Sequence, residues 1–161
     1  MILGMSYFTF AHVLVSLIGI LTGLIVLFGF LTAQRVSRWT SCFLITTVAT
    51  SVSGFFFPFH GFTPAIGLGI LSLIVLAPVI AARYAYHLAG SWRWIFVSGS
   101  VAALYFNVFV LVVQSFLKVA SLHALAPKGS EPPFAATQGV VLLLFIVAGV
   151  LAVRRFRPVS V

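Results

Sequence analysis

An all-α, polytopic integral membrane protein, an antiparallel bundle of five transmembrane helices forming one domain over residues 1–161, is the architecture this sequence predicts. Three observations carry that expectation. Hydrophobic residues make up 62% of the 161 and charged residues only 6%, against ~25% charged in a soluble protein. Mean hydropathy is +1.24, so apolar stretches with short links account for most of the chain. The charges are also one-sided, nine Lys and Arg against a single acid, Glu131, and they gather at the ends of the apolar runs. So few charges cannot cover a water-soluble globule, which excludes a cytosolic enzyme, a secreted disulfide scaffold and a disordered tail.

Five apolar runs approach the ~20 residues that a helical crossing needs. They lie at about 7–31, 41–59, 64–88, 94–120 and 134–153. Each must be helical, because lipid offers no partner to a bare peptide group. The first lacks a basic leader and is too long for the apolar core of a signal peptide, so it reads as a retained helix with an exported N-terminus. Its Gly19 and Gly23 have Gly-x-x-x-Gly spacing beside Ser16, a surface for close helix contact. The second is the most polar run, carrying Thr46, Thr47, Thr50, Ser51, Ser53 and Gly54. Its hydropathy rests on Phe43, Leu44, Ile45 and the Phe55–Phe57 run, and the alternation of charge requires it to cross. The third spans Pro64 to Leu88. In the fourth, Ser100, Asn107 and Gln114 recur every seven residues with Lys118 one turn on, a polar seam only about 40° wide. The fifth follows Ser130-Glu131-Pro132-Pro133, a stiff extended entry.

Charge sets the expected orientation. Arg35, Arg38, Arg83, Arg93, Arg154, Arg155 and Arg157 fall on one side, and Lys118, Lys128 and Glu131 on the other. Basic links face the cytoplasm, so the N-terminus is expected outside and the C-terminus cytoplasmic, in a bacterial inner membrane. Trp39, Trp92 and Trp94 sit beside the cytoplasmic arginines as interfacial anchors. Membrane lipids, with anionic head groups on the cytoplasmic side, are the expected partners of the basic residues. A membrane-protein partner or a second copy is a further candidate, and the lack of a basic stripe or reading motif argues against nucleic acid. Cys42 is the only cysteine, which excludes an intramolecular disulfide.

Among four histidines, the expected topology puts His12, His60 and His123 near the outer face and only His87 on the cytoplasmic side. His12 lies inside an apolar run, where an ionisable residue is a functional candidate by default. Gln114, Lys118, Gln138 and Glu131 climb toward the same level, with Asn107 deeper in the seam. Glu131 is also placed to pair with Lys128. Together these residues describe a polar, histidine-containing outer pocket of a small membrane binding protein. Three ligand chemistries fit: haem b on an imidazole pair, a transition metal on His12, His60 and His123, or a quinone against a hydrogen-bond donor and phenylalanines. An accessory or assembly subunit without its own ligand is the alternative, and a small-solute transporter along the Ser100–Lys118 seam is a third. No nucleophile–base–orienter set for a hydrolytic enzyme can be assembled.

Overall fold

The computed structural model describes residues 6–58 and 63–157. These form α1 (Tyr7–Leu31), α2 (Ser37–Gly54), α3 (Pro64–Tyr84), α4 (Trp92–Lys118), α5 (Ala120–Leu125) and α6 (Pro132–Arg155), with no strand among the described residues. Four helices, α1, α3, α4 and α6, are long and apolar enough to cross a membrane, which identifies an integral membrane protein. The second helix is not among the four, because its hydroxyl residues dilute its hydropathy.

Local chemistry explains where the helices begin and end. Ser6 caps α1 by accepting the Thr9 N–H at 3.1 Å. Thr63 caps α3 through the Ile66 N–H at 3.3 Å, with Pro64 in the first turn where a missing donor costs nothing. Pro132 and Pro133 open α6 in the same way. The second helix begins at Ser37, earlier than the apolar run. The turn Ser37-Arg38-Trp39-Thr40 is helical although polar, and hydropathy is blind to such a turn. It ends at Gly54, short of the expected 59, where the chain turns into Phe55–Pro58. The third helix stops at Tyr84 instead of running to 88. There His87 and Leu88 take left-handed backbone angles, φ 47° and 62°, that no helix tolerates. Helix α5, unforeseen in the sequence, follows α4 after a break at Val119.

The side-chain contacts establish how the helices run. His12 meets Ser53, Gly19 lies against Thr46 and Thr47, Gly23 against Phe43, and Gly29 against Val36. One partner climbs as the other descends, so α1 and α2 are antiparallel along the whole of α2. The same reasoning makes α2 and α3 antiparallel, through Ser51–Ser72 and Ser41–Tyr84. It also makes α4 and α6 antiparallel, through Phe116–Phe134, Tyr105–Phe145 and Arg93 to the Phe156 carbonyl. Helix α4 is the hub, packing on α1, α3, α5 and α6. Glycines allow the closest approaches: a Cβ on Gly23 would stand 2.6 Å from Leu104 Cδ1, and one on Gly99 would overlap Val79. The core gathers Val26, Phe30, Phe43, Leu76, Val79, Phe96 and Leu104.

Several hydroxyls inside the bundle bond back along their own helix, while Thr50 Oγ1, Ser100 Oγ and Gln138 Oε1 are buried without a hydrogen-bond partner among the described residues. Thr22 donates to the Ile18 carbonyl at 2.7 Å, Thr46 to Cys42 at 2.7 Å and Ser51 to Thr47 at 2.9 Å. Back-bonding to the preceding turn satisfies a hydroxyl where water is scarce. That is how α2 can be rich in Ser and Thr and still bury Thr40 and Ser51, while buried Thr47 accepts from Asn107.

Candidate functional site

Two places on this bundle concentrate chemically capable side chains, one at each end. At the end where α1 starts, half-buried His12 places Nδ1 2.8 Å from Ser53 Oγ. Ser53 Oγ also lies 3.2 Å from the Thr50 carbonyl, a second acceptor within reach of its hydroxyl proton. The His12–Ser53 bond runs in either direction: in one tautomer Nδ1–H donates to the Ser53 oxygen and leaves the Nε2 lone pair available, in the other Nδ1 accepts the Ser53 proton. Nε2 has no hydrogen-bond partner among the described residues. The ring stands edge-on to Phe57 at 5.0 Å, and Phe57 packs against Phe8 at 5.0 Å. His12 thus presents one oriented ring nitrogen, Nε2, beside two aromatic rings.

Deeper in the same seam, Asn107 Nδ2 donates to Thr47 Oγ1 at 3.4 Å, beside Gly19. Helices α1 and α4 are antiparallel, with Phe30 against Phe96 and Gly23 against Leu104. Continuing that register about two turns from Asn107 brings Gln114 to the level of His12. Gln114 and Lys118, on the next turn, are both exposed.

Among the described residues, the remaining expected site residues have partners of their own. Gln138 is buried against α4, donating to the Phe109 carbonyl at 3.2 Å while its Oε1 has no partner. His123 sits exposed on α5, its Nδ1 3.3 Å from the Phe116 carbonyl. The Glu131 carboxylate closes its own turn, accepting the backbone N–H of Lys128 at 2.9 Å and of Ser130 at 3.0 Å. The Lys128 N–H, more than any other group, holds the Glu131 carboxyl below the usual carboxylate range. The contact is with the Lys128 backbone instead of its ammonium. His60 lies outside the described residues, and with it the three-imidazole arrangement. Among the described residues no three His, Cys, Asp or Glu side chains stand together to hold a metal.

The opposite end holds a cavity of about 290 Å³ that the linear sequence did not reveal. Arg83 reaches from α3 to the start of α2, its Nη2 donating to the Ser37 carbonyl at 2.9 Å and to Ser37 Oγ at 2.7 Å. Its guanidinium also lies 5.3 Å from the centre of the Tyr84 ring, and Tyr84 in turn touches Ser41 at 3.1 Å. Arg35 and His87 complete the basic rim, over a floor of Phe30, Phe96 and Phe156. Both links at this rim contain left-handed non-glycine residues, Ala33 on one and His87 with Leu88 on the other. Each such residue costs about 1–2 kcal/mol, so neighbouring contacts must enforce it. Gln34 N–H to the Gly29 carbonyl at 2.8 Å holds one link. A Tyr86–Trp92 stack at 3.8 Å holds the other. The sequence signal was the clustering of Arg35, Arg83 and His87 at helix ends and links of one side, but only the tertiary fold gathers them with Ser37 around one hollow.

Comparison with protein-family models, with curated proteins and with solved structures finds no match to this chain.

Proposed function

We propose that this is a five-crossing protein of a bacterial inner membrane, N-terminus outside and C-terminus cytoplasmic, that binds a quinol-type molecule at its outer end. Two features support the fifth crossing by α2. It runs antiparallel to α1 along its full length, and the arginines then fall on the cytoplasmic side at every link. The carrying observation for binding is the His12–Ser53 contact beside Phe57: with Nδ1–H on Ser53, Nε2 is left to accept. A quinol hydroxyl donates to such a nitrogen, and its ring packs beside Phe8 and Phe57. Gln114, level with His12, supplies a second hydrogen bond, while Asn107 keeps the seam closed below. A haem or metal would also use the Nε2 lone pair; the aromatic flank of Phe57 and Phe8 supports a flat organic ring.

The test is titration of the purified protein with a short-chain ubiquinol by calorimetry. His12→Gln should lower affinity about tenfold, the loss of one good hydrogen bond to a buried ligand. Unchanged affinity in that variant refutes the reading, and a Soret band in the purified protein replaces it with a haem. Topology is checked separately in a Cys42→Ser background. Lys128→Cys should label from outside and His87→Cys only after permeabilisation.

One observation favours a second reading, an accessory subunit that needs no ligand. Helix α6 buries only Gln138 and Ala152, while Val140, Leu143, Leu144 and Ile146 are all more than half exposed. This face would meet lipid in a monomer and another helix in an assembly. Cross-linking from α6 to a second chain in native membranes would favour that reading.

A further inference from the structure

The surface between α4 and α6 carries a groove of about 460 Å³ that the quinol reading neither uses nor needs. We propose that this groove seats one acyl chain of an anionic phospholipid, from the leaflet on the Arg154 side, with the head group meeting Arg154. The inference requires only that α4 and α6 cross the membrane, and both are long and apolar enough to do so.

The walls of the groove are apolar. Val101, Ile146 and Val150 line it, while Ala102 and Gly149 contribute little side chain and so keep it open. Ser98, near the Arg154 end, turns its hydroxyl proton back to the Trp94 carbonyl at 2.6 Å. Tyr105 and Phe145, with ring centres 5.6 Å apart, mark the deep end together with Leu142. The depth matches one leaflet. From Arg154 to Leu142 the helix rises about 18 Å at 1.5 Å per residue, against roughly 15 Å for half of a ~30 Å hydrocarbon core. Trp94, 50% exposed and one turn before Ser98, stands at head-group level on α4. A groove that starts at the interface and stops near the bilayer centre suits a single acyl chain. A helix from a partner crosses both leaflets and would run on past the aromatic end.

Charge selects the head group. Arg154 is the only charged residue of the lining; it is exposed, and no hydrogen bond or ion pair engages it among the described residues. The next residue, Arg155, is already engaged, donating to the Leu31 carbonyl at 3.4 Å. Glu131, the sole acid, precedes α6 and so lies at the opposite end of that helix. The mouth of the groove therefore offers a cation at head-group depth with no acidic side chain to neutralise it, which attracts an anionic lipid.

The full chain, purified and delipidated in detergent, is titrated with phosphatidylglycerol or with phosphatidylcholine of the same acyl chains. Native mass spectrometry reads retention. Phosphatidylglycerol should be retained about fivefold better, and Arg154→Gln should remove most of that preference. Arg38→Gln makes the same charge change at the start of α2, outside the groove, and should leave the preference within about twofold. Val150→Phe narrows the groove and should weaken retention of both lipids by about fivefold or more. Val140→Phe, the same change on α6 outside the groove, should not. Both valines are surface positions, 47% and 59% exposed, so either ring is accommodated without entering the core, and circular dichroism checks the fold. The proposal is overturned if the two valine variants retain lipid alike, or if Arg154→Gln and Arg38→Gln lower the preference equally. It is also overturned if the protein is a dimer that Val150→Phe alone dissociates, which would seat a second copy in the groove.

Discussion

Replacing Gly23 with alanine adds one methyl group at the tightest junction of α1, α2 and α4, and its cost can be worked from the geometry. The new Cβ would lie 2.6 Å from Leu104 Cδ1 and 2.9 Å from two Phe43 ring carbons. Carbon atoms prefer ~3.5–4.0 Å, so each neighbour must withdraw by roughly 1 Å. Neither has room, since Leu104 is 1% exposed and Phe43 is 0% exposed. Overpacking of this kind costs about 1–3 kcal/mol, and the better helix propensity of alanine returns up to about 1 kcal/mol. The net expectation is a loss of about 1–2 kcal/mol, a roughly 5- to 30-fold shift in the folding equilibrium. Gly139→Ala provides the contrast. Nothing lies within 4 Å of a Cβ there, so only the propensity gain of about 0.5–1 kcal/mol remains. Equilibrium unfolding in mixed micelles, followed by circular dichroism, reads both. Combining Gly23→Ala with Leu104→Ala should return part of the loss as a coupling energy. If Gly23→Ala is no less stable than Gly139→Ala, the packing argument is wrong.

Three other perturbations probe separate features. Ala33 ends α1 with φ 56°, where the Gln34 and Ala33 amides bond back to Gly29 and Phe30. Ala33→Gly should therefore stabilise by about 0.5–1 kcal/mol, strain relief exceeding the entropy glycine adds to the unfolded chain; a lower unfolding midpoint contradicts this. Arg93 donates to the carbonyls of Val153 at 2.9 Å and Phe156 at 2.5 Å, so Arg93→Gln should cost about 2 kcal/mol and free the C-terminal end of α6. Faster amide exchange confined to that segment is the expected signature, and unchanged exchange rules it out. The Glu131 carboxyl is held low chiefly by the Lys128 N–H. The turn over 128–131 should thus be fully ordered above the unfolded-chain carboxylate pKa and loosen as pH falls through the lower folded value. The Lys128 and Ser130 amide resonances should follow that titration and lose it in Glu131→Gln.

Several features were legible in the residues alone. Run length and hydropathy identify a helical membrane protein, because a lipid solvent forces every long apolar segment to satisfy its own backbone. The small residues Gly19 and Gly23 were readable as contact surfaces, and they are buried. The seam on α4 was readable as a direction, but only part of it is covered: Ser100 is buried and Asn107 reaches Thr47, while Gln114 and Lys118 stay exposed. Periodicity reports which residues share a face and is silent on how far the neighbouring helices extend along it.

What the sequence determined by itself is the class: helical, membrane-embedded, one-sided in charge, with its few polar groups confined to identifiable faces. Those properties follow from each segment's own exchange between water and lipid, which needs no knowledge of neighbours. The tertiary structure alone decided which polar groups meet. It paired Ser53 with His12, turned Glu131 onto its own loop, and folded Arg35, Arg83 and His87 around one hollow. Such meetings depend on the rotation and register of each helix. These are fixed by glycine contacts between segments far apart in the chain, as at Gly23 with Phe43 and Leu104.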